Sequence, residues 1–201
     1  VDLKLPGMLI GRLLTSSVPH ANILKIDKSR AERLPGVEAV ITFDDVPKKM
    51  FNPNKMDLTL LDPSSELQDM YVISDKARFV GDIIASIAAI NASVAEEALE
   101  LIEVSYEELP AVFDPLEATQ PGQPEIHDFA ENNIAKTIPF MKNRGDIEAA
   151  FQEADMVVEQ MFRTSKQHMC QFEPSACVAS FDASGRLTIW SLSQHPFLHR
   201  R

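Results

Sequence analysis

The stretch RFVGDIIASIAAINASVAEEALELIEVSYEELPAV, Arg78 to Val112, decides how this chain is read. Its first part, Phe79 to Ile90, is almost wholly apolar, the pattern of a strand covered on both faces. Ser93 and Glu96 then stand at capping-box spacing, and Val94, Ala95, Ala98, Leu99 and Ile102 follow on one helical face. Beyond them Ile102, Val104 and Tyr106 alternate with Glu103 and Ser105, which predicts a half-buried strand. Strand, helix and strand in that order give a βαβ unit or a helix laid across a sheet. The stretch holds no Cys, no His and no phosphate loop. It is scaffold.

Working upstream, Met8 to Leu14 and Ile23 to Ile26 read as strands. Between them and a third strand, Val37 to Phe43, lies SRAERLPG. There Ser29 and Glu32 have capping-box spacing, and Gly36 can take a left-handed exit from a short helix. Residues 44–70 hold three prolines and no steady period, so a long loop is expected.

Downstream, ATQPGQPEIHDFAENNIAKTIPF is rich in Pro, Gln and Asn and reads as a linker over 119–140. Asp146 can cap a helix whose face is Ile147, Ala150 and Phe151. Met156 to Thr164 then alternates as a strand. Two more strands, Ala176 to Phe181 and Leu187 to Leu192, flank the turn signal DASGR. The pattern breaks off at His199-Arg200-Arg201 just after a strand, so a polypeptide continuing past that point is expected.

With 201 residues and 45% hydrophobic side chains, the chain can bury a core. Its net charge of −11 opposes binding to a phosphate backbone, so no nucleic-acid partner is expected. The longest apolar run, Ile83 to Ile90, falls far short of the ~20 residues that span a bilayer, so no membrane partner is expected either. No basic and apolar leader opens the sequence, and Cys170 and Cys177 cannot make a disulfide framework. Together these read as a cytoplasmic protein.

Residues able to carry chemistry are few. His168, Cys170 and Cys177 lack the tight ligand pairs of zinc sites, and His195 and His199 lack the glutamate of a metalloprotease helix. Asp44-Asp45, Glu96-Glu97 and Glu107-Glu108 are neighbours in sequence, so on a strand they point to opposite faces and read as solvated charges. The densest polar cluster is QHMCQFEPSACVASF, where Glu173 enters an apolar strand and needs a partner or a wet pocket. Gln194 ends the next strand in WSLSQHPF. Its neutral amide donates and accepts hydrogen bonds without exchanging protons, so it suits orienting a ligand.

Five stretches, in order, carry a resemblance: GRLLTSSVPHANILKIDKSRAERLPGVEAVITFDDVP, ARFVGDIIASIAAINASVAEEALELIEVSYEELPAVFDPLEA, GDIEAAFQEADMVVEQMF, FEPSACVASF and LTIWSLSQHPFLHR. The chain resembles the N-terminal part of the molybdopterin-binding large subunit of the xanthine dehydrogenase and aldehyde oxidase family. The resemblance implies an α+β fold: an α/β hammerhead domain over 1–118, the 119–140 linker, and over 141–201 the beginning of the molybdenum-cofactor-binding α+β domain. It also implies a molybdenum hydroxylase of heterocycles or aldehydes using water-derived oxygen. The cofactor would be molybdenum-molybdopterin, in its cytosine dinucleotide form. Electrons would leave through two [2Fe-2S] clusters to FAD on partner subunits or domains, in a homo- or hetero-oligomer. Relatives include carbon monoxide dehydrogenases and a reductase of an aromatic thioester.

Residue by residue, Gln194 matches the family glutamine whose amide meets an oxo ligand of molybdenum, and Glu173 matches a pocket-positioning glutamate. No catalytic residue and no direct metal ligand falls within 1–201. The fragment alone is expected to be inactive. The alternative is a free-standing scaffold or binding module with the hammerhead fold.

Overall fold

The computed structural model describes residues 3–52, 68–137 and 145–193. Its contacts divide the chain into two compact units, Leu5–Ile138 and Pro139–Arg201 with Val1–Lys4.

In the first unit, strands β1 (Ile10–Thr15), β3 (Val37–Thr42) and β5 (Ile83–Ala89) form one sheet with β5 in the middle. A second sheet places β2 (Ala21–Asp27) between β4 (Lys76–Ala77) and β6 (Glu103–Glu108). Every pairing in both is antiparallel. The helix between β5 and β6, α2 (Ala92–Glu100), packs on β1 and β5 with the short helix α1 (Ser29–Glu32) beside it. The βαβ alternative is therefore overturned in favour of a helix laid across a sheet. The cause is local: β1 and β3 occupy both edges of β5, so β6 finds no free edge there and pairs with β2 instead.

The core lies between that helix layer and the first sheet. Ala85, Ile87 and Ala89 from β5 meet Ala31, Val40, Ala95, Ala98 and Ile102, all buried. So many alanines bring backbones close, and Ile87 supplies much of the apolar volume. Burying one isoleucine contributes about 1.5–3 kcal/mol. On the other face of β5, Ile84 is buried while Ser86 and Ala88 are half-covered, so the strand's two faces are not equally sealed. The apolar run also starts later as a strand than its composition suggests. Phe79 and Val80 are exposed, in the turn that leads to the buried carboxylate of Asp82.

The cap of α2 differs from the sequence expectation by two residues. In α2 the cap is Asn91, whose Oδ1 accepts from the Val94 amide at 2.9 Å, and Ser93 falls inside the first turn. Asn91 has the extended backbone a cap requires, so the frame begins earlier. In α1 no side chain caps the helix. Asp27 instead accepts from both the amide and the hydroxyl of Ser29, at 3.1 and 2.7 Å. A capping box does form where none was expected. Asp45 Oδ2 accepts from the Thr42 amide at 2.8 Å and from Lys28 Nζ at 2.7 Å. These contacts, Lys28 first, pull the Asp45 carboxyl down to about 2. The three acidic pairs are exposed, as expected of solvated charges, and each also makes a surface contact: Asp44 meets Lys48, Glu96 meets Arg12, and Glu107 accepts from Asn22. Gly36 does take a left-handed backbone, with φ +93°, and its carbonyl accepts from the Ile90 amide at 2.9 Å.

The base of the 44–70 loop is closed by mutual backbone hydrogen bonds between Phe51 and Met70, and residues 53–67 lie outside the described residues. Beyond β6 the chain is pinned by His20. Its Nδ1 donates to the Pro110 carbonyl at 2.7 Å, while its own carbonyl accepts from the Leu109 amide. Helix α3 (Pro115–Ala118) follows, capped by Asp114. The 119–137 stretch has no strand, yet one side chain braces it. Asn133 Nδ2 donates to the carbonyls of Ala118 and Pro124, and Asn133 Oδ1 accepts from the Ile126 amide.

In the second unit, Asp146 caps α4 (Ile147–Glu153) through the Ala149 amide, as its position suggests. β7 (Cys177–Phe181) and β8 (Leu187–Ser191) form an antiparallel hairpin. Asp182 closes its turn, accepting from the Ser184 hydroxyl and amide and from the Arg186 amide. The strand expected over Met156–Thr164 does not form. A strand needs a neighbour for its backbone groups, and none lies beside this segment among the described residues. Its apolar side chains stay exposed: Met156, Val158, Met161 and Phe162 each by at least 70%.

Candidate functional site

The register of the hairpin sets the geometry of the candidate site. Cys177 pairs with Ser191, so the start of β7 and the end of β8 lie side by side. Glu173 stands four residues before that end, in exposed coil. From β8 the chain continues through Leu192 and Ser193 to Gln194, which lies outside the described residues, as do His195 and His199. Sequence alone did not show that the segments carrying Glu173 and Gln194 leave from one end of a hairpin. The pairing does.

Cross-strand pairs give the hairpin two apolar faces. Val178 opposes Trp190 on one, while Ala179 opposes Ile189 and Phe181 opposes Leu187 on the other. Phe181, Leu187, Ile189 and Trp190 are all exposed. A lone two-stranded hairpin is marginal in water, and one with apolar groups on both faces calls for cover on both.

One contact near Glu173 was not anticipated. His168 Nδ1 approaches Cys170 Sγ at 3.3 Å and accepts from the Cys170 amide at 3.0 Å, with Cys170 at φ +44°. Both cysteines are free and exposed, and no group of three or more His, Cys, Asp or Glu able to hold a metal occurs among the described residues. By their donor chemistry, the described residues do not by themselves fit a metal centre. Ligands for one would come from elsewhere.

Comparison with known proteins gives the arrangement its family. Residues 1–110, more than half of the chain, match the family model for the aldehyde oxidase and xanthine dehydrogenase a/b hammerhead domain. The chain belongs to this family. Residues 126–201 match the model for the molybdopterin cofactor-binding domain, which contains both Glu173 and Gln194. The hammerhead match accounts for the mixed α+β architecture of the first unit.

Among curated relatives, the chain is 35% identical over 199 residues to a probable xanthine dehydrogenase subunit of Bacillus subtilis, covering 99% of this chain and 25% of the relative. It is 33% identical over 199 residues to the nicotinate dehydrogenase large molybdopterin subunit of Eubacterium barkeri, covering 99% of this chain and 44% of the relative. Among solved structures, Cu,Mo-CO dehydrogenase in its carbon monoxide reduced state superposes with a TM-score of 0.77 at 33% identity, covering 99% of this chain and 26% of that one. The chain thus spans between a quarter and a half of the length of these family members. Among the described residues, no helix is long and apolar enough to cross a membrane.

Proposed function

We propose that this chain is part of the molybdopterin-binding subunit of a molybdenum hydroxylase that oxidises a heterocycle or aldehyde with oxygen from water. One observation carries the reading: a hammerhead match and a molybdopterin-domain match follow each other along 1–201, in relatives two to four times longer. The two-faced apolar hairpin supports it, because such a hairpin suits a layer inside a larger domain.

In this reading residues 1–118 are the hammerhead domain, 119–140 the linker, and 141–201 the opening of the cofactor domain. The bound cofactor, in its cytosine dinucleotide form, supplies two-electron redox chemistry. The chain's own contribution is positional. The Gln194 amide would offer the cofactor a hydrogen bond without competing for protons, and Glu173 would set the edge of the pocket. No residue of 1–201 acts as acid, base or nucleophile, and the groups that select the substrate come mostly from outside this segment. Partner subunits or domains carrying FAD and two [2Fe-2S] clusters take the electrons, in a cytoplasmic homo- or hetero-oligomer.

The test is a dye-reduction screen of purines, nicotinate, aldehydes and carbon monoxide with the longer subunit and its partners. Turnover of at least one class is expected, together with none by the 201-residue chain alone. Turnover by the 201-residue chain, or none by the complex, would overturn the reading.

A further inference from the structure

His127 sits in the middle of the coil that Asn133 braces. It lines a shallow cleft of about 260 Å³ together with Phe113, Pro115, Ala130 and Asn133. Its ring lies 5.2 Å from that of Phe129. Its Nδ1 is buried with no hydrogen-bond partner, and so is the Nε of Arg78 on the turn before β5. The charged groups whose fields reach the imidazole come from three places: Arg78 and Asp82 from that turn, Asp69 from the base of the 44–70 loop, and Asp128 from the coil itself.

Two of the three carboxylates already have donors. Asp82 accepts from the Ser74 hydroxyl and the Arg78 amide, and Asp69 accepts from Asn52 at 2.8 Å. The Arg78 guanidinium is held in place by Asp75 at 2.8 Å. A proton arriving on His127 would therefore bring a second cation to a site that already holds Arg78 and offers the new N–H no free acceptor on the Nδ1 side.

We propose that His127 is a proton-sensitive clamp: neutral, it packs into the cleft formed by the 112–135 coil, and protonated, it loosens that coil while the two sheets stay folded. Burial first, and then the Arg78 charge, hold the imidazole below its ordinary value of 6.5. A lowered folded value means that the unfolded coil binds the proton more readily. The clamp is then at full strength above about 6.5 and is lost as pH falls below it. A His127 that stays neutral in the folded state would weaken the coil by at most about tenfold at pH 5.5. The hydrogen bonds of Asn133 do not titrate, so the loosening stays local.

Hydrogen exchange of the 201-residue chain at pH 7.5 and 5.5, corrected for intrinsic rates, tests this. Peptides over 112–135 are expected to lose several-fold to about tenfold protection at the lower pH, while those over 83–89 keep theirs. In His127→Gln the difference should vanish. NMR titration of the wild-type ring should give a midpoint below 6.5, and it decides the matter alone if the variant fails to fold. A midpoint at or above 6.5, coil protection equal at both pH values, or the same pH response in His127→Gln would each overturn the proposal.

Discussion

Replacing Gly36 by alanine separates two costs that the fold combines at one position. At φ +93° an alanine is strained by about 1–2 kcal/mol. Its Cβ would also lie 2.8 Å from Ile90 Cδ1 and 2.9 Å from Ile90 Cγ1. These atoms belong to a flexible side chain that is 54% exposed, so Ile90 can swing toward solvent. A changed rotamer costs about 0.5–1.5 kcal/mol. Strain and clash are thus of similar size, and Gly36→Ala should cost about 1.5–3.5 kcal/mol in all. Gly81 provides the comparison, with φ +100° and nothing within 4 Å of the point where a methyl would stand. Gly81→Ala should show the strain alone. The assay is hydrogen exchange of the β5 amides in urea, which reads the first unit separately from the hairpin. If Ile90→Ala in the Gly36→Ala background restored nearly all the lost stability, the clash would dominate and the reasoning would be refuted.

Three other outcomes follow from the same packing. Ile87→Ala, at 1% exposure in the central strand, should cost about 2–5 kcal/mol, measured by urea unfolding followed with circular dichroism. Asp45→Asn should cost no more than about 1 kcal/mol at pH 7, because the side chain is 38% exposed and its ion pair with Lys28 is screened. Its folded value of about 2 lies below the ordinary 3.8, so the stabilisation is present above 3.8 and lost as pH falls toward 2. Wild type and variant should therefore converge in urea melts between pH 4 and 2, at about those values. Asn133→Ala removes three hydrogen bonds from the coil and should cost about 1–3 kcal/mol there. Hydrogen exchange over 118–134 should rise while β5 stays unchanged.

Five of the six strands of the first unit were legible because their apolar and β-branched runs are local signals, whereas the two-residue β4 carries no such run. What the runs could not convey was which edge each strand would occupy. Ile83–Ala89 reads the same whether its neighbours are parallel or antiparallel, and only the return of β1 and β3 to both its sides sent Glu103–Glu108 to the other sheet. Cap frames slipped for a related reason. Ser93 and Glu96 match a motif, but the cap is decided by which residue has extended backbone, and that is Asn91. The bracing of 119–137 by Asn133 left no periodic trace, since one amide reaching three backbone groups depends on a folded loop. For the site, residue types pointed to Glu173 and Gln194, whereas the adjacency of the start of β7 and the end of β8 came from the Cys177 to Ser191 pairing.

If residues 141–201 form one wall of a molybdopterin pocket completed by later polypeptide, the longer protein holds the metal and the shorter chain does not. Molybdenum per subunit, measured by mass spectrometry on the longer protein as isolated, tests that most directly. A ratio near one is expected, with none retained by the 201-residue chain prepared in the same way. A longer subunit free of molybdenum and pterin, or a 201-residue chain that keeps them, would contradict it.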